Sequence, residues 1–261
     1  MKQPKVKILI LNYNGSSILK NCLDSVLDIN YTNYSTVLID NCSTDNSIDL
    51  VKSHYASIEI FQTGKNRMYA GGYNYFFNKN SEDCFYMILN NDTIVDKDIL
   101  NQFILGVKRF GDKHIYGAKI MFAKNKSKIW YGGAKVDLNK GIIKHLNIRK
   151  NINDLDLKDS LTDYVTGCCM FVHSSTISIL KGFDESFNMY MEDVDFCLRA
   201  KSKGINSYFL SSPLLYHYVS SSVKNKAFKI LCSYTKLSMR YTGSFFLFNV
   251  PLFVLRKLLS K

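Results

Sequence analysis

The chain has 261 residues, 46% of them hydrophobic, with three prolines and fourteen glycines, so it can bury a sizeable core and shows no linker in its composition. This predicts one α/β domain with a tail. The formal charge of +12 is unevenly placed: residues 201–261 carry ten Lys or Arg and no Asp or Glu, which leaves residues 1–200 at +2. Seven cysteines (22, 42, 84, 168, 169, 197 and 232) form no CxxC pair and mostly sit in apolar runs. That pattern points to reduced core thiols in a cytosolic protein, and against disulfides or a structural zinc.

Two lysines precede the first apolar stretch, but it runs only from Val6 to Leu11, is interrupted by Lys7 and leads to no cleavage site, so it reads as a strand rather than a signal peptide. "KVKILIL" (5–11) and "YSTVLID" (34–40) are strands flanking "SSILKNCLDSVLDI", where Ile18, Leu19, Cys22, Leu23, Val26 and Leu27 follow a helical period. A second unit follows, with Ser43 or Asp45 capping "SIDLVKSHY" and then the strand "IEIFQT". "AGGYNYFFNK" reads as a short helix, "CFYMILN" as a strand, and "KDILNQFILGVKRFG" as an amphipathic helix ending at Gly111. Further on, "KIWYGGAKVDLNKGIIKH" predicts a hairpin, "DYVTGCCMFVH" a strand, "STISILKGF" a helix, "MEDVDFCLRAKSKG" a helix with acids first and lysines last, and "INSYFLSSPLLYHY" a final strand.

Alternating strands and helices predict a mostly parallel, open sheet with helices on both faces. Ligands of such sheets bind outside the carboxyl ends of the strands. Polar clusters stand at three such ends: Asn12-Tyr13-Asn14, Asp40-Asn41 and Asn90-Asn91-Asp92. No G-x-x-x-x-G-K-[ST] and no G-x-G-x-x-G after the first strand is present, so a phosphate ligand needs another anchor. A carboxylate at Asp92 can hold a divalent cation that neutralises a diphosphate; alternatively Asn90, Asn91 and Asp92 cap the loop and the helix starting near Asp96. Glu192 and Asp193 are either acids compensating a helix dipole or, at the mouth of a cleft, a general base and its neighbour. Asp195 and Arg199, spaced i,i+4, read as a surface ion pair. His217 is either a packed histidine or a metal ligand with Asp92.

Taken in order, "ILNYNG", "VLIDNCSTDNS", "GKNRMYAGGYN", "LNND", "TGCCMFV", "GFDESFNMYMEDVDFCLRAKSKG" and "LLYHYVSSS" resemble the successive signatures of the family-two glycosyltransferases, in the rhamnosyltransferase-like branch, over about residues 4 to 222. The resemblance implies a GT-A fold and an inverting transfer from a nucleotide-diphosphate sugar, dTDP-rhamnose-like or a UDP-sugar, assisted by Mn or Mg. The acceptor implied is a lipid-linked or growing surface glycan. By position, Asp92 matches the metal-holding aspartate and His217 a second metal ligand, while Asn91 helps to orient the donor. Asp40 matches the acid that reads the nucleotide, and Asn12 walls it. Thr166 and Gly167 match the strand end where the donor sugar approaches the backbone. Asp193 matches the general base, with Glu192 beside it toward the acceptor. Met68 stands where the family's nucleotide loop usually has glycine, and Asn90 where its D-x-D motif has an acid.

The expected organisation is a glycosyltransferase domain over 1–222, with a nucleotide-binding half to about 111 and an acceptor half from about 112, then a tail over 223–261. The tail interleaves lysines with Phe228, Ile230, Leu231, Tyr234 and Leu237, and its uncharged run from Thr242 to Leu255 is too short for the ~20 residues of a spanning helix. It is expected to lie on an anionic membrane at the cytosolic face, with Phe245, Phe246, Phe248, Leu252 and Phe253 in the acyl boundary. The alternative is a helix packed on the domain or on a second copy in a homo-oligomer. A nucleic-acid partner is not expected. The competing functions are a sugar nucleotidyltransferase, which would want a glycine-rich basic first loop, and a non-catalytic scaffold subunit of a membrane assembly.

Overall fold

The computed structural model describes residues 3–187, 189–219 and 225–259, so the expected boundary at 222/223 lies outside the described residues. β1 (Val6–Asn12) is buried on both faces, because helices cover both. α1 (Ser16–Leu27) turns Leu19, Cys22, Leu23 and Val26 inward and leads to β2 (Tyr34–Asp40). α2 (Ser47–His54) and β3 (Glu59–Gln62) complete the second unit; the N-cap is Asn46 rather than Ser43 or Asp45, and Asp45, one residue earlier, accepts the Ser47 N–H on Oδ1 at 3.0 Å. α3 (Met68–Phe77), β4 (Phe85–Asn90), the short β5 (Thr93–Val95) and α4 (Ile99–Phe110) follow, with Gly111 ending α4 at φ +105°.

The second half begins with β6 (Ile115–Phe122) and β7 (Asn125–Tyr131), which pair antiparallel, so Gly132 and Gly133 separate β7 from the hairpin rather than turn inside it. The expected hairpin is β8 (Ala134–Asp137) with β9 (Ile142–His145), turning through Leu138–Lys140 and Gly141. After β10 (Ser160–Thr162) the segment expected as one strand forms only β11 (Cys169–His173). Residues 163–168 run outside the strand because their backbone groups find other partners: the Tyr164 carbonyl accepts the Tyr131 hydroxyl, the Val165 N–H donates to Cys197 Sγ and the Gly167 N–H to Asp193. α5 (Ser174–Leu180), α6 (Glu192–Ser202) and β12 (Ser207–His217) close the domain.

The sheet order is β10-β12-β6-β11-β4-β1-β2-β3. β4, β1, β2 and β3 are parallel, as are β6 and β12, while β11 enters antiparallel between β4 and β6. The carboxyl ends of β1, β2 and β4 therefore open on one edge, and the β12 end reaches it through β5. All seven cysteines are free; Cys42 and Cys232 are exposed and the other five buried.

α7 (Lys226–Thr242) and α8 (Phe246–Leu259) form a hairpin packed on the domain, which is the alternative the sequence left open for the tail. Tyr234 and Leu237 are fully buried, and the Tyr234 ring stacks on Phe253 with centroids 3.8 Å apart. Phe253 thus turns inward, not toward a lipid boundary; a Cβ on Gly141 would lie 2.6 Å from its nitrogen. Asp195 also departs from expectation. It is fully buried, taking Arg199 Nε at 2.7 Å on one oxygen and Arg240 of α7 at 2.6 Å on the other, so it is no surface pair. A buried carboxylate needs such partners, and Arg240 lies 45 residues away. Among the described residues no helix is long and apolar enough to cross a membrane.

Candidate active site

The nucleotide side is built at the exits of β1 and β2. Buried Asn12 donates through Nδ2 to Ser43 Oγ at 3.1 Å and accepts the Asn91 amide on Oδ1 at 2.8 Å. Gly15 backs this pair: a Cβ there would lie 2.3 Å from Asn12 Oδ1 and 2.4 Å from Asn91 Nδ2. Asp40, fully buried, accepts the Ser43 N–H on Oδ2 at 3.1 Å, and its buried Oδ1 has no hydrogen-bond partner. A buried carboxylate oxygen left unbonded is costly and suits an incoming N–H or O–H donor.

Asn41 shapes the adjoining loop with its whole side chain, donating to Asn66 Oδ1 and the Met68 carbonyl and accepting from Thr63 Oγ1 and the Arg67 N–H. Met68 sits at φ +59°, a left-handed conformation that favours glycine and so accounts for the family's usual residue there. Arg67 is tied to the Thr63 carbonyl and lies over the Tyr75 ring, 4.0 Å from its centroid.

At the β4 exit, buried Asp92 places Oδ1 3.1 Å from Nε2 of buried His217, and its carbonyl accepts the Tyr218 N–H at 2.9 Å. The β5·β12 ladder sets this meeting, with Thr93 opposite His217. Asp92 does not cap the following helix, whose N-cap is Asp98. Two donor atoms about 3 Å apart have the spacing of adjacent ligands on a cation held at about 2.1 Å, so Asp92 and His217 fit Mg or Mn. A site with so few protein donors leaves positions for phosphate oxygens and water. Asn91 points at Asn12 rather than toward this pair. Behind His217, Trp130 stands edge-on at 4.5 Å, and His145, pushed down to about 4 by burial, packs on the same indole at 4.6 Å.

The third group comes from α6. Tyr190 and Met191 both take φ +70°, a strain of the kind held at functional sites, and deliver Glu192 and Asp193 as the first helical residues. Asp193 Oδ2 accepts the Gly167 N–H at 2.8 Å and Oδ1 the Val194 N–H at 2.8 Å. The Gly167 carbonyl accepts Tyr69 O–H at 2.7 Å, and a Cβ on Gly167 would lie 2.4 Å from that oxygen. Thr166 is buried and accepts the Cys168 N–H. Glu192 is buried with Oε2 unpartnered; burial, then the neighbouring Asp193 carboxylate, pushes it up to about 8. Burial raises Asp193 as well, against the backbone N–H groups that favour its ionised form. Cys168 is buried, and its thiol is driven up by burial first and then by charges that include both Asp92 and Asp193.

Asn12, Asp40, Asn91, Asp92 and His217 stand at strand ends on one side of the sheet, and Thr166 and Gly167, just before β11, meet Asp193 from the start of α6. A cleft of about 450 Å³ beside Phe77, Glu82, Tyr86 and Ser174 opens at the other end of β4. Tyr69, Gly15 and Trp130 escaped the sequence reading. Tyr69 sits inside a recognised motif, but its partner Gly167 is 98 residues away.

The model of the family described as "Glycosyl transferase family 2" matches residues 7–180. Rhamnosyltransferase WbbL of Escherichia coli (strain K12) is 23% identical over 246 residues, covering 90% of this chain and 92% of that protein. Amylovoran biosynthesis glycosyltransferase AmsB of Erwinia amylovora is 24% identical, with 97% and 85% covered. Among solved structures, GalNAc-T7 with UDP, GalNAc and Mn2+ superposes with a TM-score of 0.73 at 13% identity over 93% of this chain, which spans about half (49%) of that one. S. aureus TarS 1-349 in complex with UDP-GlcNAc gives 0.62 at 15% identity, covering 95% and 70%. At these identities the structures establish the GT-A fold.

The raised Glu192 makes a stability prediction. Its folded value lies above its unfolded one, so between about pH 5 and about pH 8 the unfolded chain has released a proton that the native state keeps, and stability falls as pH rises. Glu192→Gln removes this loss. Its urea midpoint relative to the parent protein is expected to climb from about pH 5 to about pH 8, and a constant difference would show that Glu192 ionises freely in the fold.

Proposed function

The chain belongs to glycosyl transferase family 2, and on that premise we propose that it moves a sugar from a nucleotide diphosphate to a hydroxyl of a lipid-linked or growing cell-surface glycan, with inversion at the transferred carbon. Relatives named for amylovoran biosynthesis and O-antigen biosynthesis favour this acceptor class, a relative named for rhamnosyl transfer favours a dTDP-rhamnose-like donor, and structural neighbours holding UDP or UDP-GlcNAc favour a UDP-sugar. The observation that carries the reading is the pair of buried, unbonded carboxylate oxygens, Asp40 Oδ1 at the β2 exit and Glu192 Oε2 at the α6 start, together with the Asp92–His217 pair and Asp193. Such a constellation is costly for a scaffold and useful to an enzyme.

In this reading Asp40 accepts a hydrogen bond from the base or ribose, and Asn12, locked by Ser43 and Asn91, walls the nucleotide. Asp92 and His217 would hold Mn or Mg, which supplies charge neutralisation for the departing diphosphate. Thr166 and Gly167 border the donor sugar, with the Gly167 backbone held in place by Tyr69 and Asp193. Asp193, raised by burial yet oriented by the Gly167 N–H, takes the proton from the acceptor hydroxyl as the new C–O bond forms and the bond to diphosphate breaks. Protonated Glu192 donates a hydrogen bond toward the acceptor. One displacement needs no covalent enzyme intermediate.

Asp193→Asn is expected to lower transfer by on the order of 10²–10⁴-fold while calorimetric binding of the nucleoside diphosphate persists. Asp92→Ala and His217→Ala are each expected to weaken that binding in Mn without abolishing it in Mn-free buffer. Parental turnover in Asp193→Asn would return the aspartate to a helix-start acid, and Mn-independent binding in all three proteins would remove the cation from the site.

We also infer that the outer face of the tail rests on an anionic membrane at the cytosolic face. Leu247, Phe248, Leu255 and Leu258 are exposed on the side of α8 away from buried Asn249 and Phe253, Leu252 is exposed at its margin and Phe245 in the turn before the helix, and residues 201–261 contribute ten cations and no acid. Liposome flotation at low salt is expected to lift the parent protein but not a Phe248→Gln/Leu252→Gln variant. If neither floats at any anionic lipid content, the face belongs to a second copy of the chain, which sedimentation would reveal.

A further inference from the structure

The segment before α6, described over residues 182–187 and 189–191, leads into Glu192 and Asp193, and its last two residues are held at φ +70° without glycine. Something outside this loop must hold it. Helix α7 lies along it: Ser233 Oγ donates to the Met189 carbonyl and Lys236 Nζ to the Ser186 carbonyl, both at 2.8 Å. Lys236 and Arg240 also sit over the Phe187 ring, 5.4 and 5.3 Å from its centroid. Arg240 then forks. Nη2 donates to Asp184 near the start of the loop, and Nη1 to buried Asp195 in the first turn of α6 at 2.6 Å.

Asp195 follows Asp193 by two residues, and side chains two apart on a helix point about 200° from each other. Asp193 therefore faces Gly167 while Asp195 faces the tail, where Tyr241 O–H at 3.0 Å and Arg199 Nε at 2.7 Å complete its bonding. Arg199 in turn donates to the Leu180 and Gly182 carbonyls, closing the network on the loop's first residues. We propose that Arg240 is a positioning residue for the Glu192–Asp193 pair: by bridging Asp184 and Asp195 it fixes both ends of the strained Tyr190–Met191 turn from outside the site. The tail is then part of the catalytic unit, over and above any surface it docks on.

The guanidinium fork is the feature that matters. A lysine keeps the charge but cannot reach two carboxylates with the same geometry, so Arg240→Lys is expected to recover only part of what Arg240→Gln loses. Misplacement of a base by a fraction of an ångström reads out in turnover, while the nucleotide side of the sheet is untouched.

This inference rests on the reading of Asp193 as the base, so the test includes one readout that does not depend on activity. Arg240→Gln is expected to lower kcat on the order of tenfold to a hundredfold, with donor KM and nucleoside diphosphate affinity within about twofold of the parent protein. Hydrogen exchange at the Gly167 amide, which Asp193 accepts, is expected to accelerate while amides of β1, β2 and β4 keep their protection. Unchanged Gly167 protection overturns the positioning role whatever the activity does. Faster Gly167 exchange with parental kcat supports the positioning role and instead removes Asp193 from the reaction. If Arg240→Gln melts below the assay temperature, Asp184→Asn decides the matter, since it severs one arm and leaves Arg240 on Asp195. The same split in smaller measure supports the proposal, and parental kcat with parental exchange overturns it.

Discussion

Burying a carboxylate at the end of a core strand is unfavourable unless something meets its oxygens, and this protein does so repeatedly along one edge of its sheet. Asp40, Asp92, Glu192, Asp193 and Asp195 lie within a few residues of a strand exit or helix start. Their environments then diverge. Asp195 is saturated by two arginines and a tyrosine, and Asp193 is oriented by backbone N–H groups. Asp40 and Glu192 each keep one buried oxygen unbonded. Saturated acids hold the frame together, and unsaturated ones mark where a ligand must enter.

That division explains the packing around them. Gly15 and Gly167 have no Cβ because Asn12, Asn91 and Tyr69 occupy the space, so polar side chains at the strand exits lock one another without filling the cleft. The strained turn before Glu192 follows from the same demand. To aim Asp193 at the Gly167 amide, α6 must begin abruptly, and Met191 serves as a left-handed N-cap in place of a side-chain cap. The tail hairpin supplies the restraint that the loop's own sequence lacks.

Features that depend on neighbours in sequence were legible from the sequence. The first two β-α units, the Gly111 stop and the polar clusters at strand exits follow from periodicity and turn chemistry over a few residues. Residues 163–168 looked like strand because Tyr164 and Val165 are apolar; their divergence depends on Tyr131, Cys197 and Asp193, distant in the chain. Asp195 and Arg199 have the spacing of an exposed pair, and only Arg240 reveals that they are buried. Phe253 stands in an uncharged run that reads alike whether it faces lipid or the ring of Tyr234. Met68 showed the reverse, an oddity in sequence whose backbone conformation is the one a glycine would take.

The central claim is that the strand-exit acids form a binding site for a cation and a nucleotide diphosphate. The most direct measurement is a thermal melt of the full chain against UDP, dTDP and their sugar conjugates, each with and without Mn. A ligand that binds only the native state at about one hundred times its Kd adds roughly 2.7 kcal/mol of stability. The account predicts a rise in Tm for at least one of these nucleotides that is larger in Mn and shrinks in Asp92→Ala. An unchanged Tm for every nucleotide at millimolar concentration, with or without Mn, would contradict it.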